Sequence, residues 1–172
     1  MTPAKRLIMM GGRRYKNILH NGNFVLDSDS DGLADGWNQS RELSEDFYIS
    51  DGVQYWTALS TYFAGGINQN IIAQSNHVYY GYLISQNIRY IHWESAGGYE
   101  EIVMNVAGQT SYSKIFTYTG SYENVQTRTY AYATGECAVD DFIIVDLTAE
   151  FGAGNEPTLE WCDANIPQNI IW

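Results

Sequence analysis

Thr127-Arg128-Thr129-Tyr130-Ala131-Tyr132, and ahead of it Lys114-Ile115-Phe116-Thr117-Tyr118, decide the fold. Side chains of an extended chain point alternately to two sides. One face of each run can therefore be buried and the other wet, as in a strand of a half-covered sheet. The same kind of short run recurs on both sides of these two. Strands are predicted at residues 47–50, 54–60, 66–72, 77–85, 89–93, 100–106, 113–119, 127–133 and 139–146. Asp51-Gly52, Gly65-Gly66, Ser75-Asn76, Gly97-Gly98, Gly120 and Gly135 punctuate them as turns. Many short strands at fairly regular spacing make an all-β chain, an antiparallel sandwich or barrel. The end differs. Residues 157–166 read as one short helix, with Leu159, Cys162 and Ile166 at helical spacing, Pro157 in its first turn and Pro167 as its stop.

Composition agrees with this reading. The chain has 172 residues, enough for one sizeable core and short for two. Its 14 Tyr, 6 Phe and 5 Trp against 3 Pro favour strands, where aromatic side chains pack well. The longest apolar runs, such as Phe142-Ile143-Ile144-Val145, fall far short of the roughly 20 residues that span a bilayer, so no membrane partner is expected. Lys5-Arg6 before Leu7-Ile8-Met9-Met10 has too short an apolar stretch for an export signal, and Arg13-Arg14 follow at once. Cys137 and Cys162 are too few for a disulfide framework and read as buried, reduced thiols.

The net charge of −11 is unevenly spread. Lys5, Arg6, Arg13, Arg14 and Lys16 lie in the first 16 residues, which carry no acid. The remainder has 4 basic residues (9 less these 5) against 20 acidic ones, which argues against nucleic acid as a partner because phosphates would be repelled. Residues 1–16 accordingly read as a basic arm, and residues 17–172 as the domain. The arm either docks on an acidic neighbouring subunit or is a solvated leader. It is expected to be dispensable for folding.

The strongest local motif is Asp27-Ser28-Asp29-Ser30-Asp31-Gly32-Leu33-Ala34-Asp35-Gly36-Trp37-Asn38. Acids at the first, third, fifth and ninth positions and a glycine at the sixth match a calcium loop. The expected ligands are Asp27, Asp29, Asp31, the Leu33 carbonyl, Asp35 and Asn38, with Ca2+ as a structural cofactor. Asn38 stands where a bidentate Glu is usual, which removes one charge.

Catalytic machinery is not apparent. Glu100-Glu101 and Asp140-Asp141 are adjacent on strands and so point to opposite faces, unable to flank one glycosidic bond. His20, His77 and His92 stand apart from any nucleophile pattern. No glycine-rich loop follows a strand and opens a helix, so the chain is not expected to be an enzyme. Sugar binding is a fairer candidate, because aromatic rings stack on pyranose faces while Asn and Gln hold the hydroxyls. Trp56, Tyr82, Tyr90, Trp93, Tyr130 and Tyr132 are the candidate rings, although most aromatics of such a sandwich are packing residues. Trp37 and Trp161 are expected to be buried.

Several of these stretches resemble a known family. Asn21-Gly22-Asn23-Phe24, followed by Gly36-Trp37, resembles the opening of galactose-binding-like jelly rolls, the fold of many carbohydrate-binding modules. Ile67-Asn68-Gln69-Asn70-Ile71 and His77-Val78-Tyr79-Tyr80 resemble that fold's strand ending in Gln and the strand that follows it, and Val139-Asp140-Asp141-Phe142-Ile143 resembles its closing strand. Asn23 and Val25 replace the acids of the family's usual opening, so only Asp140 and Asp141 remain of its structural calcium site. Asp146-Leu147-Thr148-Ala149-Glu150-Phe151-Gly152-Ala153-Gly154-Asn155-Glu156-Pro157-Thr158 resembles the segment that closes sugar-binding-like domains in phage tail and other structural proteins.

The resemblance spans roughly residues 17–166. It implies a jelly roll and a virion setting: a subunit of tail, baseplate, fibre or capsid decoration, assembled in the host cytoplasm. It further implies a multimeric protein in the particle, attached to other virion proteins through the arm and facing host-surface glycans. Two other readings stay open. One is a carbohydrate-binding module of a polysaccharide-degrading system, and the other is a purely architectural subunit.

Overall fold

The computed structural model describes residues 13–40, 44–59, 66–95 and 100–172. In chain order its elements are β1 (Tyr15–Lys16), β2 (Asn38–Ser40), β3 (Ser44–Ser50), β4 (Val53–Ala58), β5 (Gly66–Ile72), β6 (Val78–Gln86), β7 (Ile88–Ser95), β8 (Glu100–Asn105), β9 (Ser111–Thr117), β10 (Asn124–Ala131), β11 (Gly135–Asp146), α1 (Leu147–Phe151), α2 (Leu159–Asn165) and β12 (Ile170–Ile171). Two five-stranded antiparallel sheets face each other. Sheet I runs β2-β5-β10-β7-β8, and sheet II runs β3-β4-β11-β6-β9. The chain is thus an all-β jelly-roll sandwich with few helices. All nine predicted strands form, shifted by a few residues. The three that were not predicted, β1, β2 and β12, have two or three residues each, too few to show a period.

Between the sheets lies an aromatic core. Trp93 meets Tyr79, Phe116 and Tyr118 edge-on at 5.2, 5.2 and 5.3 Å between ring centroids. Offset and edge-on contacts of this kind are favourable beyond the area they bury. Trp56 and Trp93 are both fully buried here, which corrects their reading as sugar-stacking rings. Their positions on β4 and β7 point to the interior, so neither ring can meet a ligand. Cys137 and Cys162 are free and buried, and burial pushes the Cys162 thiol up to about 11.

The alternation in β10 runs against simple polarity. Thr127, Thr129 and Ala131 face the core, whereas Arg128 and Tyr130 face outward. For Thr129 the reason is a hydrogen bond: its hydroxyl accepts from the Ile67 amide at 3.0 Å and donates to the Ile67 carbonyl at 3.2 Å. A buried hydroxyl is tolerated because it is paired on both sides. The approach is so close that a Cβ on Gly66, at φ +151°, would lie 2.2 Å from that oxygen.

A second apolar cluster sits on the outside of sheet II. Tyr15, Tyr80, Ile143, Val145, Leu147, Cys162 and Ile166 form it beneath α1 and α2. The Asp146–Thr158 stretch builds this cap. Asp146 caps α1 by accepting from the Ala149 amide at 2.9 Å and also pairs with His77 at 2.8 Å. The Thr148 hydroxyl accepts from the Val78 amide and donates to Glu156 at 2.7 Å, and Glu156 in turn accepts from the Gly154 amide. Thr158 then caps α2. The hydroxyl of Thr148 and the amide of Gly154 hold the Glu156 carboxyl below its usual range. α1 was not foreseen, since five residues are too few for a period. Trp161 is 37% exposed rather than buried: α2 docks through Cys162 and Ile166, leaving Trp161 on the flank, edge-on to Tyr15 and Phe151.

The arm boundary also moves. Residues 13–16 lie against the sandwich. Tyr15 is only 4% exposed, stacked on Phe151 at 5.8 Å, and β1 pairs in parallel with β12. Arg13 sits over the Phe151 ring and bonds Glu150. The Tyr15 ring provides the physical reason: an aromatic side chain next to an apolar cluster buries itself there, whatever the charge around it. Lys5 and Arg6 lie outside the described residues.

Candidate functional site

The outer face of sheet I carries a polar row across three strands. Register sets Gln126 of β10 between Asn70 of β5 and Glu94 of β7. Arg128, two residues on, pairs with Glu94, and its Nε donates to the Gln126 side chain. Gln126 Nε2 donates to Asn70 at 3.4 Å. Asn70, Glu94, Ser95, Asn124, Val125, Gln126 and Arg128 line a groove of about 430 Å³. Asn70 and Asn124 also wall a second compartment of about 360 Å³ with Lys16, Ile18 and Ile72, so the trough runs on towards the chain ends. A third compartment shares Lys16 and Ile18 and reaches Ile171 and Trp172.

Beside the polar row stands an aromatic group. Tyr90 and Tyr130 face each other across β7 and β10 with ring centroids 4.8 Å apart. His92 meets Tyr130 edge-on at 5.3 Å, and the Tyr130 hydroxyl lies 3.3 Å from His92 Nδ1. Two of the six predicted rings, Tyr90 and Tyr130, thus share this face, but Tyr130 is buried at 8% exposure, which corrects its reading as a sugar-stacking ring, and of the pair only Tyr90 is partly exposed. Tyr132 is 56% exposed just past the end of β10. Tyr82 is on the opposite sheet, packed against the cluster under α1 and α2, so it does not join them. Asn70, Glu94, Gln126 and Arg128 were not singled out from the sequence. The available signal was the period of β5 and β10, which puts Asn68 and Asn70, and Gln126, Arg128 and Tyr130, on one face each. Pairing those two faces needs the register.

The acidic loop gathers three of its carboxylates. Oxygens of Asp27, Asp29 and Asp35 lie within 4.8 Å of one another. The buried Gln54 side chain braces the loop from behind, accepting from the Ala34 amide at 2.9 Å and donating to the Gly32 carbonyl at 2.8 Å. Gly32, at φ +85°, has no room for a side chain: a Cβ would lie 2.1 Å from the Phe47 carbonyl oxygen. One Asp27 oxygen accepts from the Gly32 amide, while Oδ1 is buried with no hydrogen-bond partner among the described residues. A buried carboxylate oxygen without a donor, next to two more carboxylates, fits a hard cation. Asp31 stands apart from this group. Asp31 is exposed, and its carboxylate accepts from the Leu33 amide at 2.7 Å. The Leu33 side chain packs against the core. Asn38 opens β2 in register with Asn68, its side chain exposed.

Other stretches of the resemblance have structural duties. Asn21 accepts from the Val25 amide and donates to the Leu26 carbonyl, and Trp37 Nε1 donates to the His20 carbonyl at 3.1 Å. Gln69, buried, accepts from the His20 amide and donates to the carbonyls of His20 and Gly36. The Asp140-Asp141 pair departs from strand alternation. A bulge with Asp141 at φ +44° interrupts β11, and Phe142 takes the inward place. Burial raises both carboxyls, and the charge of Asp140 adds to the effect on Asp141.

No family model matches the chain, and no curated protein matches its sequence. Solved structures do. The enzymatically active domain of bacteriophage CBA120 tailspike protein 4 aligns with 75% of this chain and 21% of its own, at 10% identity and a TM-score of 0.49. A point mutant of a carbohydrate binding module family 29 aligns over 76% of this chain and 89% of its own, at 8% identity and a TM-score of 0.50. The CBM22-1 xylan-binding domain from Paenibacillus barcinonensis Xyn10C covers 78% and 96%, at 12% identity and a TM-score of 0.52. At such identities the likeness concerns the fold, and the fold is the jelly roll of carbohydrate-binding modules.

Proposed function

We propose that this chain is a non-catalytic glycan-binding domain of a phage particle, with the outer face of sheet I as its ligand surface. The observation that carries the glycan reading is the groove itself. A row of amide, carboxylate and guanidinium groups lies beside the Tyr90–Tyr130 pair. Such a surface offers hydrogen-bond partners for hydroxyls and, in the partly exposed Tyr90, a ring for the apolar side of a sugar. The virion setting rests on the resemblance of the Asp146–Thr158 segment to phage closing segments, and attachment through the N-terminal stretch rests on the five basic residues of positions 1–16. A cation held by Asp27, Asp29 and Asp35 would have a structural part, tying the loop between Asn21 and Trp37.

The test is retention of the pure protein on insoluble polysaccharides and in polysaccharide-loaded native gels, beside a gel of purified virions. Wild-type protein should be retained on at least one glycan, and Gln126→Ala with Asn70→Ala should weaken that retention about tenfold or more, the loss of two hydrogen bonds. Retention unchanged by those substitutions would move the site elsewhere. Release of reducing sugar by pure protein would end the non-catalytic reading.

A further inference from the structure

We infer that Glu94 sets the charge selectivity of the groove: by neutralising Arg128 it makes the site one for uncharged, hydroxyl-rich glycans and closes it to anionic ones. The inference rests on the glycan reading above and deepens it to a ligand class.

Among the described residues, Arg128 is the only cation lining the first compartment. A guanidinium in a groove is ordinarily the natural partner of a carboxylate or sulfate, because its planar donors match those oxygens. Here that capacity is already used. Glu94 forms the ion pair from the neighbouring strand, and the side chains of both are largely enclosed, at 15% and 21% exposure. Gln126 takes the Nε donor on the other side. An incoming carboxylate would have to displace Glu94 and leave its charge poorly solvated, a cost that grows with enclosure. A hydroxyl needs no such exchange, since the amides of Asn70, Asn124 and Gln126 are neutral donors and acceptors along the same wall. The field of the whole molecule acts in the same direction, because a net charge of −11 repels polyanions before contact. The next cation along the trough, Lys16, belongs to the second compartment, beyond Asn70 and Asn124. His92 is the register partner of Arg128 on β7, so the test is run at pH 8, above the ordinary histidine range.

The experiment is affinity electrophoresis and calorimetry with two neutral polymers, glucomannan and xylan, and two anionic ones, polygalacturonate and alginate. Wild-type protein, Glu94→Gln and the double variant Glu94→Gln/Arg128→Gln are compared, each checked for an unchanged melting temperature. Wild type should prefer a neutral polymer over both anionic ones by about tenfold or more. Glu94→Gln, nearly isosteric, should gain about tenfold on polygalacturonate or alginate, with a gain that fades in added salt. The double variant should lose that gain, which assigns it to Arg128. Wild-type binding to an anionic polymer as tight as to the neutral ones overturns the inference and leaves the glycan reading intact. So does a Glu94→Gln variant that folds and binds neutral polymer but gains nothing on the anionic ones. Failure of all three folded proteins to bind any polymer overturns the glycan reading, and the inference with it.

Discussion

Replacing Tyr15 by alanine tests whether the N-terminal residues from Arg13 onward belong to the domain. The ring is 4% exposed and lies between Phe151 and Trp161 in the cluster under α1 and α2. A buried aromatic ring removes on the order of 200 Å² from water, which sets an upper bound of roughly 5 kcal/mol. Measured aromatic-to-alanine losses run at about 3–5 kcal/mol, and α1 and α2 can settle partly into the space, so the lower figure is expected here. For a chain of this size each kcal/mol moves the melting temperature by roughly 2–4 °C. A fall of about 6–12 °C is therefore expected by calorimetry. Tyr15→Phe keeps the ring and should stay within about 2 °C of wild type, because the burial is retained. If Tyr15→Ala also melts within that margin, residues 13–16 behave as a detached arm, and the packing argument fails.

Calcium should raise the melting temperature and chelator should lower it, by an amount set by the ratio of free ion to dissociation constant. Asp27→Asn with Asp29→Asn should remove the response; a melt indifferent to calcium in wild type would exclude the metal. Gly66→Ala places a methyl group on Thr129 Oγ1 at a backbone angle that side chains rarely adopt, and should cost about 3 kcal/mol or prevent accumulation. Thr129→Ala should restore part of that loss in denaturant titration, and purely additive effects would refute the contact. The Glu156 carboxyl is held below its usual range by Thr148, so its stabilising contribution is complete above the unfolded carboxyl range and lost as pH falls through the lowered folded value. Glu156→Gln should flatten the acid side of the stability curve, and an identical acid limb would show that the Thr148 bond adds nothing.

Much of the sandwich was legible because its strands are long enough to show alternation and are separated by Gly and Asn turns. β1, β2 and β12 were not, since two or three residues carry no period, and Tyr15 sat within a run of basic residues that masked it. Direction along β10 was hidden in another way. Its alternation shows two faces without saying which turns inward, and Thr129 goes inside because its hydroxyl finds partners on Ile67. Asp140 and Asp141 were read by alternation, and the bulge at Asp141 removes the premise. The glycine and the clustered acids of the 27–38 loop were visible, whereas the brace supplied by Gln54 is a contact between distant residues. The groove has the same character. Asn70, Glu94, Gln126 and Arg128 are each ordinary in sequence, and only the pairing of β5, β10 and β7 makes them one surface.

The parallel pairing of β1 with β12 bears on how the molecule answers a mechanical load. Tyr15 lies beside Ile170 and Lys16 beside Ile171, and the Asn17 amide donates to the Ile171 carbonyl at 3.3 Å. Two strands that run the same way are drawn in opposite directions when tension is applied before one and after the other. The pair is then sheared, and its bonds must give way together; an antiparallel terminal pair pulled the same way would unzip one bond at a time. The Tyr15 ring would have to be dragged from beneath the two helices in the same event. A strand pair of only two residues in register thus becomes the part that decides how much force the ends can carry before the sandwich feels it.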